Sequence, residues 1–223
     1  MAIILNLETA TTNCSVSVSK EDKVIALKEI NDKGYTHAEN LHVFIKEALD
    51  SASLSFLDID AIAVSEGPGS YTGLRIGVSA AKGLCYSLGK PLIALPTLSV
   101  LEMQSPEEDN IAVVPLLDAR RMEVYAAVYK NHAQIRETKA EIITSESFLS
   151  YLNEGKVYFL GDGAEKCKGV ITHENAVFQE EVCFPSAREM AVLSNEKYKI
   201  GDFVDVAYFE PYYLKDFVTT KPK

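Results

Sequence analysis

The sequence predicts a two-lobed α/β protein in which one strand-rich unit occurs twice. Three observations carry this. Each half opens with an apolar strand that ends in an acid, followed by a short polar turn and a second strand. The order recurs at an offset of 110 positions: Leu5-Asn6-Leu7-Glu8 falls on Pro115-Leu116-Leu117-Asp118, and 14–18 falls on 124–128. Between the halves lies Ser105-Pro106-Glu107-Glu108-Asp109-Asn110, a polar stretch that breaks structure. Later, the run 61–64 before Gly67-Pro68-Gly69 resembles 157–160 before Gly161-Asp162-Gly163. The signal is a recurring pattern rather than identity.

In chain order, strands are expected over 3–7, 14–19 and 24–30, with Glu21-Asp22 as the hairpin turn. A helix over 36–52 follows, with Leu41, Phe44, Ile45, Ala48, Leu49 and Ala52 on one face. Thr36 and Glu39 have capping-box spacing at its start. A buried strand over 61–64 leads through the Gly67-Pro68-Gly69 turn into a long helix over 71–88, then a strand over 92–95 and a helix over 97–104. Three antiparallel strands followed by a helix and a further strand make a mixed sheet with helices packed on it. Two such lobes side by side form a duplicated architecture of the actin-like (ASKHA) or ribonuclease-H-like kind. The boundaries are expected at 1–104 and 110–223, with the C-terminal segment able to return to the first lobe. That segment holds a helix over 186–199 and then the aromatic run Pro211-Tyr212-Tyr213-Leu214, which suits cover for a crevice between lobes.

The helix over 71–88 is apolar or tiny on nearly all sides. At about 100° per residue, Arg75, Ser79, Lys82 and Tyr86 share one narrow arc. Leu74, Val78, Ala81, Cys85 and Leu88 form one flank, suited to the sheet. Gly73, Gly77, Ala80 and Leu84 form the other, with Ile76, Gly83 and Ser87 beside them. Each glycine costs a helix about 1 kcal/mol against alanine, so close packing is the natural reason for them. A helix covered all round is either a core helix of one domain or one that also meets a second helix pair.

Charge narrows the function classes. The 223 residues carry a net charge of -10. An acidic chain is a poor stand-alone binder of nucleic acid, whose affinity comes largely from cations on phosphate. The four cysteines, Cys14, Cys85, Cys167 and Cys183, are scattered, which fits reduced thiols in a cytoplasmic protein. The start lacks a basic leader, and no run reads as a membrane span.

Glu8 and Asp118 stand where an acid at the end of each lobe's first strand can face a nucleotide phosphate and its metal, with Thr9 alongside; the competing reading is that they cap loops. Gly67-Pro68-Gly69 fits neither a P-loop nor a dinucleotide fingerprint and reads as a strand-to-helix turn, although a helix N-terminus attracts anions. His37 and His42 are five apart and diverge by about 140° on a helix, so no metal site is expected.

Three segments resemble one family: Leu7-Glu8-Thr9-Ala10-Thr11 before Cys14-Ser15-Val16; Gly67 through Gly77; and Asp118-Ala119-Arg120 before Glu123-Val124-Tyr125. They are similar to the TsaB (YeaZ) family of tRNA threonylcarbamoyladenosine biosynthesis, with support from Gly161-Asp162-Gly163-Ala164 and Tyr213-Leu214. The resemblance implies the duplicated actin-like fold and a non-catalytic scaffold, with no catalytic residue, metal or cofactor of its own. It implies pairing with a TsaD-type catalytic subunit, or with itself when alone, through the first two helices. On this chain that face comprises Leu41, Phe44, Ile45, Gly73, Ile76, Gly77, Ala80 and Leu84. It further implies a TsaE-type ATPase partner and contact with tRNA only through the complex. The TsaD relative holds a metal through two histidines four apart, whereas here Leu41 stands four after His37. The family's usual acid at position 8 is aspartate, not glutamate. The rivals are an actin-like ATPase or small-molecule kinase acting alone and, less well supported, a peptidase.

Overall fold

The computed structural model describes residues 1–31, 37–106, 108, 110–181 and 183–215. The first half comprises β1 Ile3–Glu8, β2 Asn13–Lys20, β3 Lys23–Asn31, α1 His37–Ser51, β4 Ala61–Gly67, α2 Tyr71–Leu88, β5 Leu92–Pro96 and α3 Thr97–Glu102. The second comprises β6 Ala112–Asp118, β7 Glu123–Lys130, β8 Ala133–Ile142, α4 Leu149–Glu154, β9 Val157–Leu160, β10 Ala176–Phe178 and α5 Met190–Ile200. The sheets run β3-β2-β1-β4-β5 and β8-β7-β6-β9-β10, the same order twice. In each, the first three strands are antiparallel, and the last two join in parallel to the first. The fold is the duplicated actin-like one.

The first sheet is covered on both faces. On one, Leu41, Ile45 and Leu49 of α1 and Val78, Ala81 and Cys85 of α2 pack on Leu5, Leu7, Val16, Val18, Ile62 and Val64. Burying each leucine or isoleucine there contributes roughly 1.5–3 kcal/mol. On the other face, Ile4, Ala63, Ile93 and Leu95 meet Val100 of α3 and Met190 of α5. The lobes join through Leu98 and Leu101 of α3, which pack with Val113, Leu117, Ala127, Tyr129 and Leu160.

Local chemistry sets the ends of α2. The Ser70 side chain accepts from the Gly73 amide, and Gly89, at φ 64°, donates its amide to the Cys85 carbonyl. The capping box proposed at Thr36 lies outside the described residues. The C-terminal helix starts later than expected from the sequence, at Met190 instead of about 186. The reason is hydrogen bonding to β2. The Ala187 amide donates to Ser15 Oγ (2.8 Å), Ser17 Oγ donates to the Ala187 carbonyl (2.6 Å), and Asn13 Nδ2 donates to the Pro185 carbonyl (3.0 Å). These bonds hold the approach to α5 in a non-helical path across the sheet.

The lobes differ behind their parallel strands. β4 is followed by the 18-residue α2, whereas β9 is followed by only the three-residue 3-10 turn Glu165–Cys167. Among the described residues, no helix is long and apolar enough to cross a membrane.

Candidate functional site

Two turns occupy equivalent places in the lobes, and each contains one of the acids singled out from the sequence. In the first, Glu8 is wholly buried. Its carboxyl group accepts from the Ala10 amide at 2.6 Å and from the Ser65 hydroxyl. Burial, only partly offset by these bonds, raises its pKa from 4.5 to about 7. Thr9 is also buried, and its hydroxyl donates to the Gly73 carbonyl at 2.8 Å. The Ser70 amide donates to the Ala10 carbonyl at 2.6 Å. A Cβ at Gly69 would collide with Ala10, and one at Gly73 or Gly77 with Thr9. The N-terminal half of α2 is thus pressed onto the β1–β2 turn. A phosphate would need turn amides and open space, but the Ala10 amide is already used by Glu8 and the space is filled by α2. Glu8 and Thr9 thus both spend their polar atoms on bonds within their own lobe.

The second turn is open. Asp118 is exposed and pairs with Lys166 at 2.5 Å. It also accepts from the Arg120 amide at 2.7 Å, while its own amide donates to Asp162 at 2.9 Å. Asp162 has its pKa raised, chiefly by burial. Lys166 further donates to the carbonyls of Arg121 (2.8 Å) and Glu123 (2.6 Å). Glu189, just before α5, is also raised by burial from 4.5 to about 7. Its Oε2 is buried without a hydrogen-bond partner, and its charge is felt by Glu8.

The fold divides the face drawn from the helical wheel into an inner and an outer part. Leu41 and Ile45 point into their own core, and Gly73 and Gly77 close on Thr9. What remains on the outer side is Phe44, Ile76, Ala80 and Leu84, each half-buried. With Ala38, His42 and Gly83, the last three line a groove of about 600 Å³ between α1 and α2. A Cβ at Gly83 would meet nothing within 4 Å. The wheel placed the glycines on one flank, but it could not tell that a turn of the same lobe fills half of it.

His37 is buried, with Nε2 2.6 Å from the Thr11 carbonyl, whereas His42 is exposed on the groove. Among the described residues, no group of three or more His, Cys, Asp or Glu could hold a metal ion.

The sequence pattern gave little warning of how the C-terminal segment is tied down. Lys82 Nζ donates to the carbonyls of Phe209 (2.9 Å) and Ala207 (3.3 Å). The Tyr212 amide donates to the Glu66 carbonyl at 2.7 Å, and the Tyr213 ring packs on Tyr71 at 4.7 Å. Arg75 lies 4.1 Å over the Tyr71 ring. Lys215 then reaches the second turn, pairing with Glu123. Tyr212 and Tyr213 therefore cover the start of α2, whereas Tyr208 stays in solvent.

The sequence matches the family described as "TsaD: tRNA N6-adenosine threonylcarbamoyltransferase" over residues 31–222. It is 29% identical to the tRNA threonylcarbamoyladenosine biosynthesis protein TsaB of Escherichia coli, covering 98% of this chain and 96% of that protein. The Bacillus subtilis protein of the same name is 29% identical over 95% of this chain and 93% of its own length. In structure, the fold superimposes on YeaZ from Pseudomonas aeruginosa with a TM-score of 0.79, at 24% identity, over 96% of this chain and 100% of the other. The YeaZ likeness shows the fold; the family match across most of the chain and the full-length relatives of one name show that the chain belongs to the TsaB (YeaZ) family.

Proposed function

We propose that this chain is a non-catalytic scaffold in the threonylcarbamoyl modification of the adenosine beside the tRNA anticodon. It acts by pairing with, and stabilising, a TsaD-type catalytic subunit. When alone it forms a homodimer. A TsaE-type ATPase joins the heterodimer, tRNA binding belongs to the complex, and the setting is cytoplasmic. Residues 1–104 and 110–223 act as its two lobes. The names borne by the relatives support the pathway. The observation that carries the scaffold role is the α1–α2 groove, where Ile76, Ala80 and Leu84 remain half-exposed beside the open Gly83. Small side chains there let a partner's helices approach closely.

The rival reading, an ATPase or kinase acting alone, is weakened by the filled first turn. It requires magnesium-dependent ATP binding lost on Glu8→Ala and Asp118→Ala. The scaffold reading is tested by Ala80→Arg. The variant should melt within about 3 °C of wild type, as expected of a substitution outside the core, while light scattering shows a monomer and capture of the catalytic subunit fails. A variant that pairs normally places the interface elsewhere. One that aggregates shows that the groove is internal core.

A further inference from the structure

We infer that Arg120 and Arg121 form an RNA-phosphate contact within the complex proposed above, supplied by a chain that is otherwise acidic. The chain has only five arginines. Three are engaged by their own chain: Arg136 with Glu141, Arg188 with Glu29, and Arg75 with Tyr71 and Tyr213. Among the described residues, the side chains of Arg120 and Arg121 make no ion pair or hydrogen bond, and both are exposed. They lie consecutively on the β6–β7 turn at φ 73° and 53°, a backbone region that non-glycine residues seldom occupy.

The turn is held from beneath. Lys166 binds the carbonyls of Arg121 and Glu123, and Lys215 binds that of Ala119. Both lysines are neutralised, by Asp118 and Glu123 respectively. The charge left facing solvent is therefore that of two guanidiniums on a fixed turn. Guanidinium forks match phosphate oxygens in pairs, and a fixed turn loses little freedom on binding. Two such contacts are too few for tight binding by a chain of charge -10, so they add to cationic surface supplied by a partner. This inference rests on the scaffold reading for its choice of RNA, but its first test does not need the partner.

A labelled, unmodified tRNA anticodon stem-loop is titrated with the isolated full chain at low salt, and then with the chain joined to its catalytic partner. Arg120→Gly/Arg121→Gly is the variant of choice, because glycine suits both φ values and leaves the melting temperature unchanged. In both settings it should weaken binding at least about fivefold and lower the salt slope by about 2. Arg120→Lys/Arg121→Lys should keep most of the slope. A control that removes two charges elsewhere, Lys20→Ala/Lys23→Ala, should change neither. Equal binding by wild type and the glycine variant would overturn the inference, as would no binding by wild type at low salt in either setting. If the glycine variant loses capture of the catalytic subunit while stem-loop binding is unchanged, the arginines contact protein and the inference also fails. Loss of pairing in Ala80→Arg bears on the scaffold reading alone.

Discussion

Glu8 and Asp118 sit at the ends of equivalent strands in two copies of one sheet, yet one is sealed and the other lies in water. The difference comes from what stands behind each turn. Behind the first is α2, whose Gly73 and Gly77 bring its backbone onto Thr9. Behind the second is the short turn Glu165–Cys167, which presents Lys166 in place of a helix. The duplication has kept topology while the chemistry of the two turns has diverged. The sealed turn serves the fold by fixing α2 against β1–β2; the open turn keeps two arginines in solvent.

The largest effect is expected at Gly73. A side chain there would strike the Thr9 carbonyl, a backbone atom in a turn already tied by Glu8 and Ser70. Gly73→Val should cost roughly 3 kcal/mol or more, the upper end for overpacking, since the obstacle cannot rotate away. That lowers the melting temperature by at least about 6–12 °C at the roughly 2–4 °C per kcal/mol expected for a chain of this size. Gly83, in the same helix, has open space where a Cβ would go. Gly83→Ala should therefore stabilise by up to about 1 kcal/mol. If both variants destabilise alike in calorimetry, the packing of α2 on the turn is not what distinguishes the lobes.

The next effect is a pH dependence confined to the sealed turn. Burial raises the Glu8 carboxyl to about 7 from 4.5. The folded state thus holds a proton that the unfolded chain releases. Glu8's contribution is fully present below about pH 4.5, is lost as pH rises through 7, and is constant above it. The loss is roughly 3 kcal/mol at 1.36 kcal/mol per unit. Glu189, also raised to about 7, adds to it with the same sign. Glu8→Gln keeps an acceptor for the Ala10 amide and removes the titration. Its denaturant midpoint should fall less between pH 5 and 7 than that of wild type, and should lie above wild type at pH 8. Parallel profiles would mean that Glu8 is not held in a dry site.

Much of the scaffold was legible in the residues. The strand–acid–turn–strand pattern repeats because both lobes need the same first hairpin, and the 110-position offset places Glu8 and Asp118 in register along the chain. The sheet-facing flank of α2 was legible too, because Leu74, Val78, Ala81 and Cys85 repeat at helical spacing and are buried. What lay beyond reach depended on contacts distant in sequence. Ser15, Ser17 and Ser19 alternate with apolar residues along β2, yet all three are buried. Ser15 and Ser17 are bonded to Ala187, some 170 residues later, and Ser19 Oγ accepts from Asn6 Nδ2. The glycine stripe was likewise visible as a stripe but not as the seat of Thr9. The state of the two acids depended on such contacts as well, since a carboxylate after a strand reads the same in sequence whether a helix covers it or a lysine meets it.

The smallest effect is expected at the open acid. Asp118→Ala removes one ion pair, and both partners keep some access to water, with side-chain exposures of 47% for Asp118 and 20% for Lys166. It also removes the acceptor for the Arg120 amide. Exposed pairs contribute about 0–1 kcal/mol, and Lys166 retains the carbonyls of Arg121 and Glu123. The turn should therefore keep its shape, with a melting temperature lowered by no more than about 4 °C. Removing Lys166 instead would free both carbonyls and should cost more than removing Asp118, because each lost charge-assisted bond contributes about 1.5–3 kcal/mol. Thermal melts of Asp118→Ala and Lys166→Ala side by side decide the point. If Asp118→Ala is the more damaging, the acid rather than the lysine organises the second turn. The two lobes would then share a carboxylate anchor after all, one buried and one exposed.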